Sequence, residues 1–323
     1  MVQNRKSAIV VFLKNTISML LLLILATGSL IAQETEKKKE DKPVTNTFFS
    51  GIFMENQTYI MNSAKAVEMV INHRFGKLTD GSTMAWGIYS PSNIRMGINY
   101  SINNKLQIGI GTTKYNKQQD GNIKYNFIQQ TKSGKIPLSV TYYGNLVYDG
   151  RESSSFNNPD FKEVHRFSYF HEIMISRKFC DAFSLQIAPM FTYYNLVETT
   201  NANVLSTDAD TLADPVRKNM NFGLSVLGRM NITSSLSFLF EYDHNFTKLV
   251  KQTDIYKNPK PNISIGIEKA TAAHSFQLFV TTAEAITYQK NMVYNQNDFI
   301  GKGDDEHYFN SGLMLGFNIT RIF

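Results

Sequence analysis

The chain has 323 residues, with 33 Lys+Arg against 27 Asp+Glu and 42% hydrophobic residues; Tyr (16) and Phe (23) are abundant, while Cys and Trp occur once each. These figures exclude a collagen-like, disulfide-stapled or disordered chain. Cys180, as the single cysteine, cannot form an internal bridge or supply a zinc cage by itself.

The first element is an export signal over residues 1–32. Arg5, Lys6 and Lys14 give a positive start, Ile17 to Leu25 is an almost unbroken apolar run, and Ala26-Thr27-Gly28-Ser29 leads to Ile31-Ala32-Gln33. The run is shorter than the roughly 20 residues a spanning helix prefers, which favours cleavage after Ala32 over a retained anchor. Cleavage leaves 30 cations against 27 anions, so a nucleic-acid partner has no electrostatic support. Residues 33–62 form the next unit, a charged tether (Glu34 to Lys42) followed by an N-terminal periplasmic segment. Within it, residues 44–62 carry Phe48, Phe49, Ile52, Phe53 and Tyr59 without a clean period. A flap, a plug or an extra strand all fit.

From residue 63 to the end the pattern has period two, the signature of half-buried strands. Val67, Met69, Ile71, His73 and Phe75 alternate with Glu68, Val70, Asn72 and Arg74. Ile94, Met96, Ile98, Tyr100 and Ile102 alternate with Arg95, Gly97, Asn99 and Ser101. Twelve segments follow this rule: 65–75, 93–102, 106–114, 121–131, 137–148, 164–179, 183–196, 219–232, 236–246, 262–269, 274–282 and 310–323. Short turns and long loops alternate between them, as an even-stranded barrel with both termini on one side requires. Most segments reach the roughly 9–11 residues that a tilted strand needs to cross a bilayer. In lipid every backbone polar group must be paired, so an all-strand chain survives there as a closed barrel. The reading is an all-β, antiparallel, up-and-down transmembrane barrel of about twelve strands, with periplasmic termini in a cell outer membrane. Its apolar face meets lipid and its polar face lines the interior.

Tyrosines and phenylalanines near strand ends suit interfacial girdles, although β-propensity alone also favours them. The final alternation, Leu313 to Phe323, resembles the C-terminal signal read by the outer-membrane barrel-assembly machinery, which makes that machinery an expected partner. His73-Arg74-Phe75-Gly76, Asn93-Ile94-Arg95-Met96-Gly97, Ile108-Gly109-Ile110-Gly111, Arg177-Lys178-Phe179, Phe183-Ser184-Leu185-Gln186, His274-Ser275-Phe276-Gln277-Leu278 and Phe317 to Phe323 together resemble an uncharacterised Gram-negative outer-membrane β-barrel family. The resemblance spans about residues 60–323 and implies location and fold, with no catalytic or binding residue to carry over.

The interior face carries Arg74, Arg95, Lys124 and Arg229 against Glu68, Glu172, Glu241, Asp243 and Glu268. These nine are the candidate lumen-lining residues, either sorting solutes in a conduit or forming a paired network that fills a narrow lumen. Interior glycines, among them Gly97, Gly109, Gly111, Gly223 and Gly316, leave room for passage or permit curvature. His73 and His171 fall on the apolar face as interfacial residues. Asp208-Ala209-Asp210 and Asp304-Asp305-Glu306-His307 lack the spaced oxygen ligands of a dedicated calcium loop and read as solvated acid. His274 and Ser275 point to opposite faces of a strand and cannot pair for catalysis. The sequence therefore carries no catalytic site, metal site or cofactor. It points to a channel or transporter for a small solute. A closed barrel serving a surface assembly is the alternative, and a lipid hydrolase the weakest third.

Overall fold

A computed structural model describes residues 41–156, 158–197, 217–250, 257–299 and 312–323. Twelve antiparallel strands close into one barrel: β1 (Val67–Lys77), β2 (Asn93–Asn103), β3 (Leu106–Thr113), β4 (Gln118–Ile128), β5 (Ser139–Tyr148), β6 (Phe167–Lys178), β7 (Phe183–Tyr194), β8 (Met220–Asn231), β9 (Leu236–Asn245), β10 (Asn262–Ala270), β11 (His274–Thr281) and β12 (Met314–Ile322). Every strand pairs with its sequence neighbours, and β12 closes on β1 through Val70↔Thr320 and Ile71↔Ile319. The backbone of the terminal residue completes the seam, since Phe323 N donates to the Val67 carbonyl at 2.8 Å. Closure leaves no sheet edge, which is what lets strands sit in an apolar medium.

All twelve expected strands are present, and side-chain alternation sorts them as the period-two pattern requires. Glu68, Val70, Asn72 and Arg74 are buried on β1, whereas Met96, Ile98, Tyr100 and Ile102 of β2 are exposed on the outside. Ile110 on β3 is 69% exposed. An outer wall of this kind is solvated by lipid tails, which accept apolar side chains and offer nothing to polar ones.

The alternation of loop lengths breaks on both sides of β4, where the β4–β5 connection, expected to be a short turn, runs over residues 129–138. The β3–β4 connection shrinks to residues 114–117 because a 3₁₀ turn at Tyr115–Lys117 places Asn116 (φ 56°) and Lys117 (φ 50°) in left-handed backbone. Strand β4 therefore begins at Gln118, three residues before the expected start, and takes Asp120 into the wall. At the opposite end β2 and β3 are joined by Asn104-Lys105, where the Asn103 side chain accepts from the backbone N–H of Lys105 (2.8 Å) and Leu106 (2.9 Å). Such a local side-chain cap specifies a tight turn without help from the rest of the fold.

The interior is filled from both ends. Of the flap, the plug and the extra strand, residues 44–60 are a plug: a hairpin that enters at the short-turn end, where Pro43 bridges Thr131, and reverses at Phe53–Asn56. Phe53 N donates to the Asn56 carbonyl at 2.8 Å, and an isolated bridge joins Ile52 to Gln57. From the long-loop end, the β11–β12 connection inserts a short helix, α1 (Tyr288–Tyr294), whose Gln289, Asn291, Met292 and Val293 are buried. Each insert has its own apolar cluster. Phe48, Phe53, Met54 and Tyr59 of the hairpin pack on Leu227, Leu239 and Phe279 of the wall. Met292 and Val293 of α1 pack on Tyr143, Phe170, Met174, Ala188 and Met190.

Candidate functional site: a lumen occupied from both ends

Inward alternation places all nine sequence-predicted residues in the interior, each no more than 8% exposed. The structure divides them by what they hold. Arg74, Lys124, Arg229 and Glu241 grip the hairpin; Arg95 is engaged with the wall; Glu68 and Glu268 accept hydrogen bonds from wall residues.

Arg74 makes the most directed contact. Its Nε donates to Glu55 Oε1 at 2.8 Å and its Nη2 to Glu55 Oε2 at 2.9 Å, a two-pronged pair between wall and hairpin. The same Nη2 reaches the Met54 carbonyl at 2.8 Å, and the guanidinium lies 4.6 Å from the Phe279 ring centroid. A bidentate Arg–carboxylate pair fixes orientation as well as distance. Lys124 spends its three ammonium donors on backbone: the carbonyls of Gly51 (2.9 Å), Thr58 (3.0 Å) and Ile60 (3.3 Å). It thus ties the two legs of the hairpin to β4. Arg229 holds the entry leg, donating to the carbonyls of Asn46 (2.8 Å) and Thr47 (3.1 Å) with its guanidinium 3.6 Å from the Phe49 ring centroid.

Neutral amides finish the attachment. Asn318 donates to the carbonyls of Phe53 and Met54, Gln277 to that of Ile52, and Gln186 both donates to the Gln57 carbonyl and accepts from Tyr59 N–H. A hairpin with few backbone bonds of its own has its carbonyls satisfied by the wall, as burial demands. At the short-turn end of β6, Lys178 Nζ donates to the Thr45 carbonyl and pairs with Asp181, in the turn beyond the strand, at 2.7 Å. That hydrogen bond and charge hold the Asp181 carboxyl below its ordinary range.

The helix is held differently. Gln289 Nε2 donates to Asn145 Oδ1 at 2.9 Å, Asn245 Nδ2 to the Met292 carbonyl at 3.0 Å, and Asn262 Nδ2 to the Asn291 carbonyl at 3.3 Å. Arg217 adds a charged contact, to the Val293 carbonyl at 2.9 Å, and Lys290 Nζ of the helix lies 3.6 Å from the Tyr115 ring centroid. The inserts meet where Gln57 Nε2 donates to the Tyr288 hydroxyl at 2.6 Å.

Two acidic residues complete the interior that sequence reasoning assigned elsewhere. Asp120, expected in a loop, receives Arg95 Nε at 2.8 Å and Nη2 at 2.6 Å. Glu55 lies on the hairpin, whose residues follow no period because they are buried on every side. Among the described residues the buried cations are Arg74, Arg95, Lys124, Arg217 and Arg229, against seven buried carboxylates, so the near-balance on the strands becomes an acidic surplus. Glu172 contributes both its oxygens, and Glu241 and Asp243 one each, without a hydrogen-bond partner among the described residues.

The interior glycines make room for neighbouring side chains. A Cβ on Gly111 would lie 2.4 Å from Arg95 Nη2 and 2.6 Å from Asp120 Oδ1, and one on Gly109 would meet Asn99 Oδ1 at 2.0 Å. A Cβ on Gly223 would meet Met292 of α1 at 2.9 Å.

On the outer face, His73 stacks on Phe317 and His171 Nδ1 lies 2.7 Å from the Tyr142 hydroxyl. His274 faces outward beside Phe276, while Ser275 Oγ donates inward to Glu268, so the two do not meet. No group of three or more His, Cys, Asp or Glu among the described residues could hold a metal ion. Asp208, Asp210 and Asp304 to His307 lie outside the described residues.

Solved membrane barrels are similar in outline. The NanC porin matches with a TM-score of 0.46 at 7% identity, over 79% of this chain and 98% of the porin. The COG4313 outer membrane channel from Pseudomonas putida F1 matches with a TM-score of 0.46 at 8% identity, over 90% of this chain and all of the channel. Omp33 of Acinetobacter baumannii matches with a TM-score of 0.37 at 9% identity, over 81% of this chain and all of Omp33. Among curated proteins, none matches the chain. The family model described as a membrane-bound β-barrel domain, DUF5777, matches residues 48–323, which includes the hairpin from Phe48 onward, and the chain belongs to that family.

Proposed function

We propose that this barrel is a gated outer-membrane conduit for a small solute, shut in the described state by its own N-terminal hairpin. The observation that carries the reading is the chemistry of attachment. Lys124, Arg229, Asn318 and Gln277 hold the hairpin by its carbonyls, and Arg74 by one carboxylate as well. Side chains that reach backbone carbonyls can exchange them for water or for a polar solute, which fused apolar packing cannot do. With the hairpin withdrawn, the wall it leaves is lined by amides, hydroxyls and a surplus of carboxylates, a surface that suits hydrated passage. In this reading the short turns, with Asp41 and Phe323 at the same end, face the periplasm.

The tight pairing of the interior also suits the closed structural barrel, and one experiment separates the two. Liposomes containing the whole refolded chain should swell slowly in small sugars, and Lys124→Met should accelerate swelling severalfold while circular dichroism remains that of a barrel. Equal impermeability of both folded proteins would favour the structural reading. An open state should carry cations in preference to anions, and replacing Arg95 or Arg229 should strengthen that preference.

A further inference from the structure

At the short-turn end, the two hairpin legs and the turns around them enclose a bowl of about 650 Å³. Its aromatic and aliphatic surface comes from Phe48, Phe49, Tyr59 and Ile60, and its polar rim from Gln129, Ser234 and Thr271. That volume lies within the range of pockets that take small organic molecules. No residue lining it carries a charge. The contrast with the lumen a few residues deeper, where five cations and seven carboxylates are buried, is complete.

We infer that this bowl is a binding site for an uncharged amphipathic small molecule with an aromatic or short aliphatic body and a hydroxyl or amide edge. The chemistry selects that class in three ways. Two phenylalanines, a tyrosine and an isoleucine reward apolar contact. The rim hydroxyls and amide, together with the mixed polar surface, offer partners for one polar edge. A carboxylate or ammonium entering the bowl would shed water and meet no charged side chain on the lining itself, the cations behind it, Lys178 and Arg229, being engaged with the carbonyls of Thr45, Asn46 and Thr47.

The site is also coupled to the plug. Asn46 and Phe49 belong both to the bowl and to the grip of Arg229, whose Nη1 takes the Asn46 carbonyl and whose guanidinium covers Phe49. The Tyr59 hydroxyl, on the other leg, donates to Thr47 Oγ1 at 2.8 Å. A molecule seated between Phe49 and Tyr59 therefore touches both legs at the point where they leave the wall. The inference rests on the conduit reading in taking this molecule as the solute that passes.

The test is photolabelling of the whole chain in lipid nanodiscs with an aryl trifluoromethyl diazirine, carried either as the neutral benzyl alcohol or as the benzoate. Labelled residues are mapped by peptide mass spectrometry. The benzyl alcohol should label residues 44–61 saturably and at least about tenfold more than the benzoate does, since a charge buried without a partner costs more than the 1.4 kcal/mol that a tenfold ratio represents. Ala272→Trp, which crowds the bowl from an exposed turn, should abolish that labelling while leaving labelling of the lipid-facing strands unchanged. Labelling confined to the outer face, equal labelling by the benzoate, or indifference to Ala272→Trp would each overturn the site. Saturable labelling of a barrel that passes no solute would leave the site standing and defeat the conduit reading. Solute passage without labelling would do the reverse.

Discussion

The two inserts that fill this barrel are held by opposite means. The hairpin sits in the short-turn half under three buried cations, with Arg74 on Glu55, Lys124 on three carbonyls and Arg229 on two. Helix α1 sits in the long-loop half under Asn145, Asn245 and Asn262, with Arg217 on one carbonyl and Lys290 over Tyr115 as its charged contacts among the described residues. Hydrogen bonds to charged groups contribute about 1.5–3 kcal/mol each, and neutral ones about 0.5–1.5. The hairpin is thus the deeper lock and the helix the lighter latch, joined at Gln57 and Tyr288. A solute arriving from the long-loop side meets mainly neutral bonds, with those of Arg217 and Lys290 beside them, before it reaches the hairpin.

The largest effect should come from breaking the ion pair. Arg74→Met leaves Glu55 buried opposite no cation, and losing one partner of a buried pair costs about 3–5 kcal/mol. Urea unfolding of the refolded barrel should show that loss, and adding Glu55→Met should recover most of it. Additive losses in the double variant would mean that the pair does not anchor the hairpin. Lys124→Met should come next, because three carbonyls lose their donor together. Here the readout is thiol labelling of Thr58→Cys in a Cys180→Ser background, slow in the parent and several times faster with the methionine. Labelling that stays slow would assign the hold to the amides.

Gly111→Ala sharpens the comparison by acting on the wall alone. The added methyl would lie within 2.6 Å of both Arg95 and Asp120, and overpacking of this kind costs about 1–3 kcal/mol. Thiol labelling at position 58 should not change. Tyr288→Phe removes the bond between the inserts together with the hydroxyl's bond to Tyr143 of β5, so about 1–3 kcal/mol is expected for the two. Its effect should appear as faster hydrogen exchange of α1 amides, with the hairpin amides unaffected. Equal acceleration in both would show that the inserts open together.

The wall was legible because a strand between lipid and a polar interior must alternate, and that constraint acts on every residue. Met96 and Ile98 outward against Arg95 and Gly97 inward are visible without any tertiary knowledge. The hairpin obeys no such rule. Phe48, Phe53, Met54 and Tyr59 are buried on all sides, and the carbonyls around them are satisfied by Lys124, Gln186, Gln277 and Asn318, which lie far away in sequence. The density of aromatics in residues 44–62 signals burial, but it does not say where. Helix α1, at seven residues, is too short for a 3.6-residue period to show. Asp120 was hidden by a turn: Asn116 and Lys117 enter left-handed backbone, and no glycine marks the place. The interior charges were thus identifiable as inward-facing, while their engagement with the hairpin was not.

The central claim is that the hairpin closes the lumen and can leave it. Ser50 Oγ and Thr320 Oγ1 lie 3.2 Å apart, one on the hairpin and one on β12, so Ser50→Cys with Thr320→Cys in a Cys180→Ser background should permit a disulfide between plug and wall. Planar-bilayer recording of that one protein, before and after reduction, is the most direct measurement. The account predicts silence when oxidised and reproducible conductance steps when reduced. Steps of equal size and frequency in both states, or silence in both from a folded barrel, would contradict it.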